Sequence, residues 1–152
     1  TTAPEHKAVQ MTKSELSETI GYTWFNGYWN YYQTNDSLTQ IIDTTINRNI
    51  HKFVLFIEPE CSCKELVKEP AYIVKVLDNS NINEDNYELW GMGSVDAEHP
   101  YENILNIKKL PFIGLMRNDD FVYSILDSFI KFKAYRNVSL EQVILESLED
   151  NQ

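Results

Sequence analysis

The sequence predicts an α/β protein built on a central mixed β-sheet with helices against it. A continuous run of apolar β-formers at residues 53–57 is typical of a strand buried on both faces. Helical signals separate it from a second strand at residues 87–95, an order that makes neighbouring strands parallel. Two further apolar runs, 112–116 and 121–125, flank the polar residues 117–120 and predict an antiparallel hairpin.

Composition indicates one folded domain of moderate size. The 152 residues are 43% hydrophobic and 12% aromatic, which is enough for a proper core. Thirteen Lys and Arg residues against 23 Asp and Glu residues give a net charge of −10. This charge repels phosphate backbones, so we expect no nucleic-acid partner. No apolar run reaches the ~20 residues that cross a bilayer, so we expect no membrane span.

Residues 1–49 are predicted to form an N-terminal helical extension that packs on the core of the domain formed by the rest of the chain. Residues 1–11 are polar and are expected to form a loose lead-in. A capping box at Thr12 opens a short helix that Gly21 ends, and Asn35 or the next residue caps a second helix. The apolar residues of the second helix fall on one face and are expected to point inward: Leu38, Ile41, Ile42 and Ile46.

An aromatic concentration at residues 22–32 separates these two helices. It has two interpretations: a platform on which sugars or bases stack, or a flap packed over the core. The negative charge of the chain and the absence of Arg from the segment favour the flap.

Residues 50–152 are expected to form the domain proper. After the first strand, residues 62–78 predict a helix kinked by Pro70. A short helix is predicted at residues 101–106, and a second capping box at Ser139 opens a C-terminal helix. The residues expected to face the core are Leu66, Ile73, Val74 and Leu77 in the first helix, and Leu140, Val143, Ile144 and Leu148 in the last.

The two cysteines of the chain, Cys61 and Cys63, both follow the first strand at the predicted start of a helix. Cysteines kept only for packing are usually scattered and buried, so this adjacency indicates chemistry. Free amides and the positive end of the helix dipole favour a thiolate there, and Lys64 adds to this effect. Glu58 and Glu60 act in the opposite direction, since nearby negative charge disfavours a second anion.

These features together resemble the thioredoxin family over about residues 50–149. The strand at 53–57 leads to Cys61, Pro70 stands where the family has a kinking proline, and Val95-Asp96 closes the next strand. Leu110-Pro111 heads the hairpin and is similar to the family's loop with a cis-proline facing the active cysteines. The resemblance implies a three-layer fold with helices on both sides of the sheet. It also implies that Leu110 and Pro111 bind a substrate chain as an added strand.

The active-site turn departs from the family's Trp-Cys-x-x-Cys pattern. Here it reads Glu60-Cys61-Ser62-Cys63-Lys64, with no tryptophan and with the second cysteine one residue early. The family's buried acid would fall on Leu55, and counting back from Pro70 places the first-cysteine position at Ser62. A Cys61–Cys63 disulfide closes a tight ring that is easily reduced, so the pair is expected to oxidise or shuffle disulfides.

The resulting prediction is a thiol–disulfide oxidoreductase in which Cys61 attacks and Cys63 resolves, with Glu60, Ser62 and Lys64 as auxiliary residues. Its expected partners are protein or small-thiol disulfides, and it needs no cofactor or resident metal. The alternatives are a redox-inactive interaction module on the same fold and a Cu(I)-handling protein that uses both sulfurs. His99 is a further candidate proton shuttle or ligand, although an exposed loop histidine is the preferred interpretation.

The sequence leaves the compartment and the oligomeric state open. The chain starts with Thr1-Thr2-Ala3 and has neither an initiator Met nor a signal peptide. This start fits a processed exported (periplasmic) protein or a trimmed cytoplasmic one, and the former is slightly favoured.

Overall fold

Residues 6–59 and 68–150 are described by the computed structural model of the chain. Their strands are β1 (Val9–Met11), β2 (His51–Ile57), β3 (Tyr87–Gly91), β4 (Phe112–Arg117) and β5 (Asp120–Ser124). Their helices are α1 (Lys13–Glu18), α2 (Trp24–Tyr31), α3 (Asp36–Thr45), α4 (Lys68–Asn79), α5 (Ile125–Lys133) and α6 (Leu140–Glu149).

The five strands form one open mixed sheet in the order β1-β3-β2-β4-β5. β2 and β3 are parallel and are joined through α4, whereas the other three strand pairs are antiparallel. The predicted α/β class and mixed sheet are therefore confirmed. β2 occupies the centre, and six of its seven residues are buried, as its continuous apolar run predicted.

The two faces of the sheet are covered differently. The larger core cluster contains alternate residues of β2, such as Phe53 and Leu55, and at least one buried residue from each of the six described helices. The smaller cluster contains Val54 and Phe56 from the opposite face of β2. Its cover comes from the chain between β3 and β4, through Met92, Leu105 and Ile107 and their neighbours, and the described residues there form turns instead of an α-helix. The helix predicted at 101–106 is therefore wrong.

Local capping signals position three helices as predicted. Thr12 and Glu15 form the complete capping box of α1, and the Asn35 side chain accepts a hydrogen bond from Leu38 N at the start of α3. At α6, Ser139 Oγ accepts from Gln142 N, but the Gln142 side chain donates to Glu146 instead of completing the predicted box.

The N-terminal segment takes a larger part in the fold than its composition suggests. Val9–Met11 was expected in a loose lead-in but pairs with β3 as the edge strand of the sheet. The aromatic segment contains α2, whose Phe25 is fully buried in the larger cluster, in agreement with the flap interpretation. Ile42 in α3 and Ile46 directly after it are buried, but Ile41 is 44% exposed and was wrongly expected to face the core.

Buried Glu141 connects this N-terminal segment to the last helix. Its carboxylate oxygens accept hydrogen bonds from the Tyr32 hydroxyl and from the Asn35 backbone N–H, both at 2.8 Å. Burial of the tyrosine and its bond to Glu141 raise the pKa of Tyr32. Each oxygen of the buried carboxylate thus has a donor, and the two bonds hold α6 against the chain between α2 and α3.

The remaining differences from the sequence predictions lie at element ends and in α5. β3 ends at Gly91 instead of Val95, and α5 was not predicted. The hairpin has the predicted polar turn, in which Asn118 (φ 52°) and Asp119 (φ 67°) both take the left-handed conformation that two-residue hairpin loops require. Part of the predicted 62–78 helix, including Leu66, lies outside the described residues, whereas Ile73, Val74 and Leu77 are buried as predicted.

His51, the first residue of β2, lies between two hydrogen-bond donors. Asn47 N donates to its Nδ1 over 3.0 Å, and Arg117 Nε lies 3.3 Å from its Nε2. Burial, together with the charge of Arg117, lowers the pKa of His51. A protonated imidazole donates from both nitrogens, so in this position it would meet donors on both sides.

We expect this histidine to make folding sensitive to acid. Because its folded pKa is below the unfolded value of about 6.5, the unfolded chain binds the additional proton first, and stability falls as the pH drops below about 6.5. Urea unfolding at about pH 7.5 and about pH 5.5 should show this loss. His51→Asn retains an acceptor for Asn47 N and should reduce the pH dependence; an unchanged dependence would assign it to other groups.

Candidate functional site

The carboxyl ends of β2 and β3 and the beginning of β4 lie together at one side of the sheet. We call this side, where strands end, simply the edge; it differs from the lateral edge strand β1. Ile57 pairs with Gly91, and Phe56 pairs with Phe112. Met92 N also donates to Ile57 O at 2.9 Å, which extends the contact beyond the end of β3. Loops that follow parallel strands meet at such an edge, which is where open α/β sheets place their ligand sites.

The predicted catalytic pair follows this edge in sequence but lies outside the described residues. Pro59, the last described residue before the pair, is exposed, and the described chain resumes at Lys68. The predicted site residues in the intervening segment are Glu60, Cys61, Ser62, Cys63 and Lys64. Their roles therefore stay predictions.

The predicted substrate-binding residues Leu110 and Pro111 directly precede Phe112, which pairs with Phe56. They therefore lie beside the carboxyl end of β2. The peptide bond between them is cis, as the resemblance implied for this position, and both side chains are half-buried. Leu110 packs against the smaller core cluster. Its contact with a substrate stays a prediction.

The chain after α1 packs directly onto the end of β2. The Tyr22 hydroxyl donates to Ile57 O over 3.1 Å, and burial together with the charge of Glu58 raises the pKa of Tyr22 to about 12. Gly21 has φ +93°, and a Cβ there would lie 2.9 Å from the Pro59 Cβ, so both its conformation and this contact favour glycine. The sequence identified Gly21 only as a helix end, and Tyr22 only as part of the aromatic segment at residues 22–32.

A cavity of about 710 Å³ lies next to Pro59, between β1, the end of α1 and the last residues of β3; we call it the β1 cavity. Met11 and Tyr22 belong to its lining; Tyr22 is a member of the larger core cluster, and Met11 packs against that cluster. Its volume is in the range of small-molecule and side-chain sites. Sequence reasoning could not find it, because its walls come from segments far apart in the chain.

Glu69, the second described residue after the cysteine segment, is a buried carboxylate. It is 4% exposed, and its Oε1 has no hydrogen-bond partner among residues 6–59 and 68–150. An unsatisfied buried acceptor costs about 1–3 kcal/mol, and functional sites are common places for such a cost. No sequence signal identified Glu69, since a charged residue in the first turn of a helix usually faces water.

His99 was expected to be an exposed loop residue, and the structure places it half-buried over the second face of the sheet. Its ring lies 5.1 Å from the ring of Phe56, and its Nδ1 accepts from Tyr101 N at 3.1 Å. Burial lowers the pKa of His99, although Glu102 acts in the opposite direction. The neutral imidazole is therefore used as an acceptor here, which is a structural role.

The described parts of the chain contain no group of three or more His, Cys, Asp and Glu residues placed to hold a metal ion. Among the same residues, no helix is both long and apolar enough to cross a membrane. Comparison with known proteins finds no matching family model, curated protein or solved structure. The function must therefore be inferred from this edge of the sheet and from the two cysteines that follow it.

Proposed function

We propose that the protein is a thioredoxin-like thiol–disulfide oxidoreductase that uses Cys61 and Cys63. The Cys61 thiolate attacks one sulfur of a substrate disulfide, the substrate S–S bond breaks, and the first substrate thiolate leaves and takes up a proton. Cys63 then attacks Cys61 and releases the second substrate thiol. Two electrons pass from the dithiol to the substrate, and the reverse sequence oxidises a substrate dithiol.

The observation that carries the proposal is the meeting of β2 and β4 at one edge. Phe56 pairs with Phe112, so Leu110-Pro111 lies beside the chain that leaves β2 towards the cysteines. Cys61 follows the last residue of β2 by only four positions. This supports an arrangement in which a dithiol and a strand-like substrate platform act at the same edge, as thiol exchange on an extended chain requires.

The order of elements supports the thioredoxin-like assignment. A buried central strand is followed by the cysteine segment and α4, then by a parallel strand, an antiparallel hairpin and the two helices α5 and α6. This order agrees with the resemblance, except that β3 ends at Gly91 and not at Val95-Asp96. The described chain before β2 then forms an extension that covers the sheet edge through Tyr22 and Gly21.

The tight Cys-x-Cys ring is the feature that supports an oxidant or shuffling role, because a strained disulfide is easily reduced. The charge at this edge acts in the other direction. Glu58 is half-buried there, and its negative charge contributes to the raised pKa of Tyr22. The same charge opposes a thiolate nearby, and a less stable reduced form makes a pair a weaker oxidant.

A redox titration against glutathione tests the proposal. The full chain is equilibrated over a range of glutathione potentials, remaining thiols are alkylated, and the mass reports the number of alkyl groups. We expect a reversible intramolecular disulfide with a single midpoint less negative than about −230 mV, nearer the disulfide isomerases than thioredoxin. The Cys61→Ser and Cys63→Ser variants serve as controls and should show no such transition.

The same titration can also contradict the proposed function. A pair that stays reduced at every potential would remove the resolving role of Cys63 and with it the proposed exchange. A midpoint close to that of thioredoxin, about −270 mV, would retain the exchange but contradict the oxidant role.

A further inference from the structure

The β1 cavity is open to solvent beside the edge strand β1, and part of the rim of its opening is apolar. Val9 of the edge strand is 45% exposed and Ile20, which follows α1, is 94% exposed; both line the cavity. Large apolar side chains this exposed beside the same cavity are typical of a surface that contacts another molecule.

The floor of the cavity is closely packed and therefore has a fixed shape. A Cβ on Gly91 would lie 2.7 Å from the Met11 Cε and 2.9 Å from the Tyr22 Oη, so the methionine and the tyrosine rest directly on the glycine backbone. The Tyr22 hydroxyl is in turn bonded to Ile57 O. A preformed apolar floor accepts a ligand side chain without first rearranging.

The charged side chains that line the cavity, among the residues the structure describes, have one sign. They are Glu15 and Glu18, and no described Lys or Arg belongs to the lining. Glu15 uses one oxygen to cap α1 by accepting from Thr12 N, whereas Glu18 is exposed and forms no ion pair within the described part of the chain. An apolar floor, together with a rim that contains both apolar and carboxylate side chains, is complementary to a segment that carries both apolar and cationic side chains.

We propose that the β1 cavity docks a basic, apolar peptide segment of the substrate protein. An apolar side chain enters between Val9 and Ile20, and Lys or Arg side chains beside it pair with Glu15 and Glu18. The cavity touches Pro59, two positions before Cys61, so a segment docked there flanks the substrate cysteines. That the peptide is a substrate rests on the proposed function, whereas its binding does not.

Fluorescence anisotropy with labelled, cysteine-free peptides tests the docking. The probe is a peptide of about ten residues built from Lys, Leu and Ser, compared with the same peptide in which every Lys is replaced by Glu. We expect the Lys peptide to bind the full chain at least about tenfold more tightly than the Glu peptide, because like charges across an interface are repelled. Raising the salt from about 0.05 M to about 0.5 M should weaken its binding.

Two double variants locate the binding site. In Glu15→Gln/Glu18→Gln, the amide introduced at the first position can still cap α1, but two rim charges are lost, and we expect the Lys peptide to bind about two- to thirtyfold more weakly. The matched control, Glu102→Gln/Glu149→Gln, removes the same charge from two exposed residues that do not line the cavity. Its affinity should stay within about twofold of the parent, since distant surface charges are screened.

Three results would overturn the docking: equal binding of the Lys and Glu peptides, equal weakening in the control variant, or a cavity filled by a second copy of the chain, seen as a dimer in sedimentation. The Cys61→Ser/Cys63→Ser variant separates this inference from the proposed function. Because the probe has no cysteine, we expect this variant to bind it with unchanged affinity. A chain that fails the redox titration but binds the Lys peptide loses the exchange and retains the docking.

Discussion

The Cys61→Ser variant is expected to lose disulfide exchange by about three orders of magnitude or more, the scale on which removal of a nucleophile usually acts. A serine hydroxyl is not appreciably ionised near neutral pH and does not displace a thiolate from a disulfide, whereas a cysteine thiolate does. The measurement is the rate at which the full chain reduces or shuffles a disulfide substrate in glutathione buffer. The substitution changes one atom, so unfolding in urea should be almost unchanged.

The Cys63→Ser variant should behave differently, because it retains the attacking thiol and lacks the resolving one. We expect it to accumulate a mixed disulfide between Cys61 and the substrate, visible as a mass increase that a reductant reverses. If Cys61→Ser accumulates this adduct instead, the roles of the two cysteines are exchanged. If neither variant forms an adduct and the parent rate is unaffected by both substitutions, exchange does not occur at this pair.

Two buried glutamates are expected to respond in opposite directions to the same substitution. Glu141→Leu removes the acceptor of the Tyr32 hydroxyl and of Asn35 N, and should lower the free energy of unfolding by about 2–4 kcal/mol, since both donors lose a partner. Glu69→Leu removes a buried carboxylate whose Oε1 has no hydrogen-bond partner within the described chain, and should raise the free energy of unfolding by about 1–3 kcal/mol.

Urea unfolding of both variants at one pH provides the comparison, each serving as the control for the other. Equal destabilisation would mean that leucine fits poorly at both positions and that hydrogen bonding is not the cause. A loss at Glu141 would also establish that the chain before β2 contributes to global stability, because both donors belong to that segment. A more stable Glu69→Leu variant with slower exchange would indicate that the buried carboxylate is retained for function.

Most of the local structure could be predicted from the sequence because its signals are short-range. Thr12, Asn35 and Ser139 each cap a helix through a donor within three residues, and the apolar run of β2 is buried as such a run should be. The helix predicted at 101–106 was wrong because a few apolar residues at helical spacing also suit an irregular segment held down by Leu105 and Ile107.

The sequence by itself determined the α/β class, the central buried strand, the hairpin and the placement of both cysteines directly after that strand. Only the tertiary structure decided that Val9–Met11 joins the sheet beside β3, about 80 residues later in the chain. It also decided that Glu69 is buried with no partner for Oε1 in the described part of the chain, and that the β1 cavity forms beside Pro59. Caps, turns and periodicity act between residues a few positions apart, whereas strand pairing, burial and cavities depend on which distant segments meet.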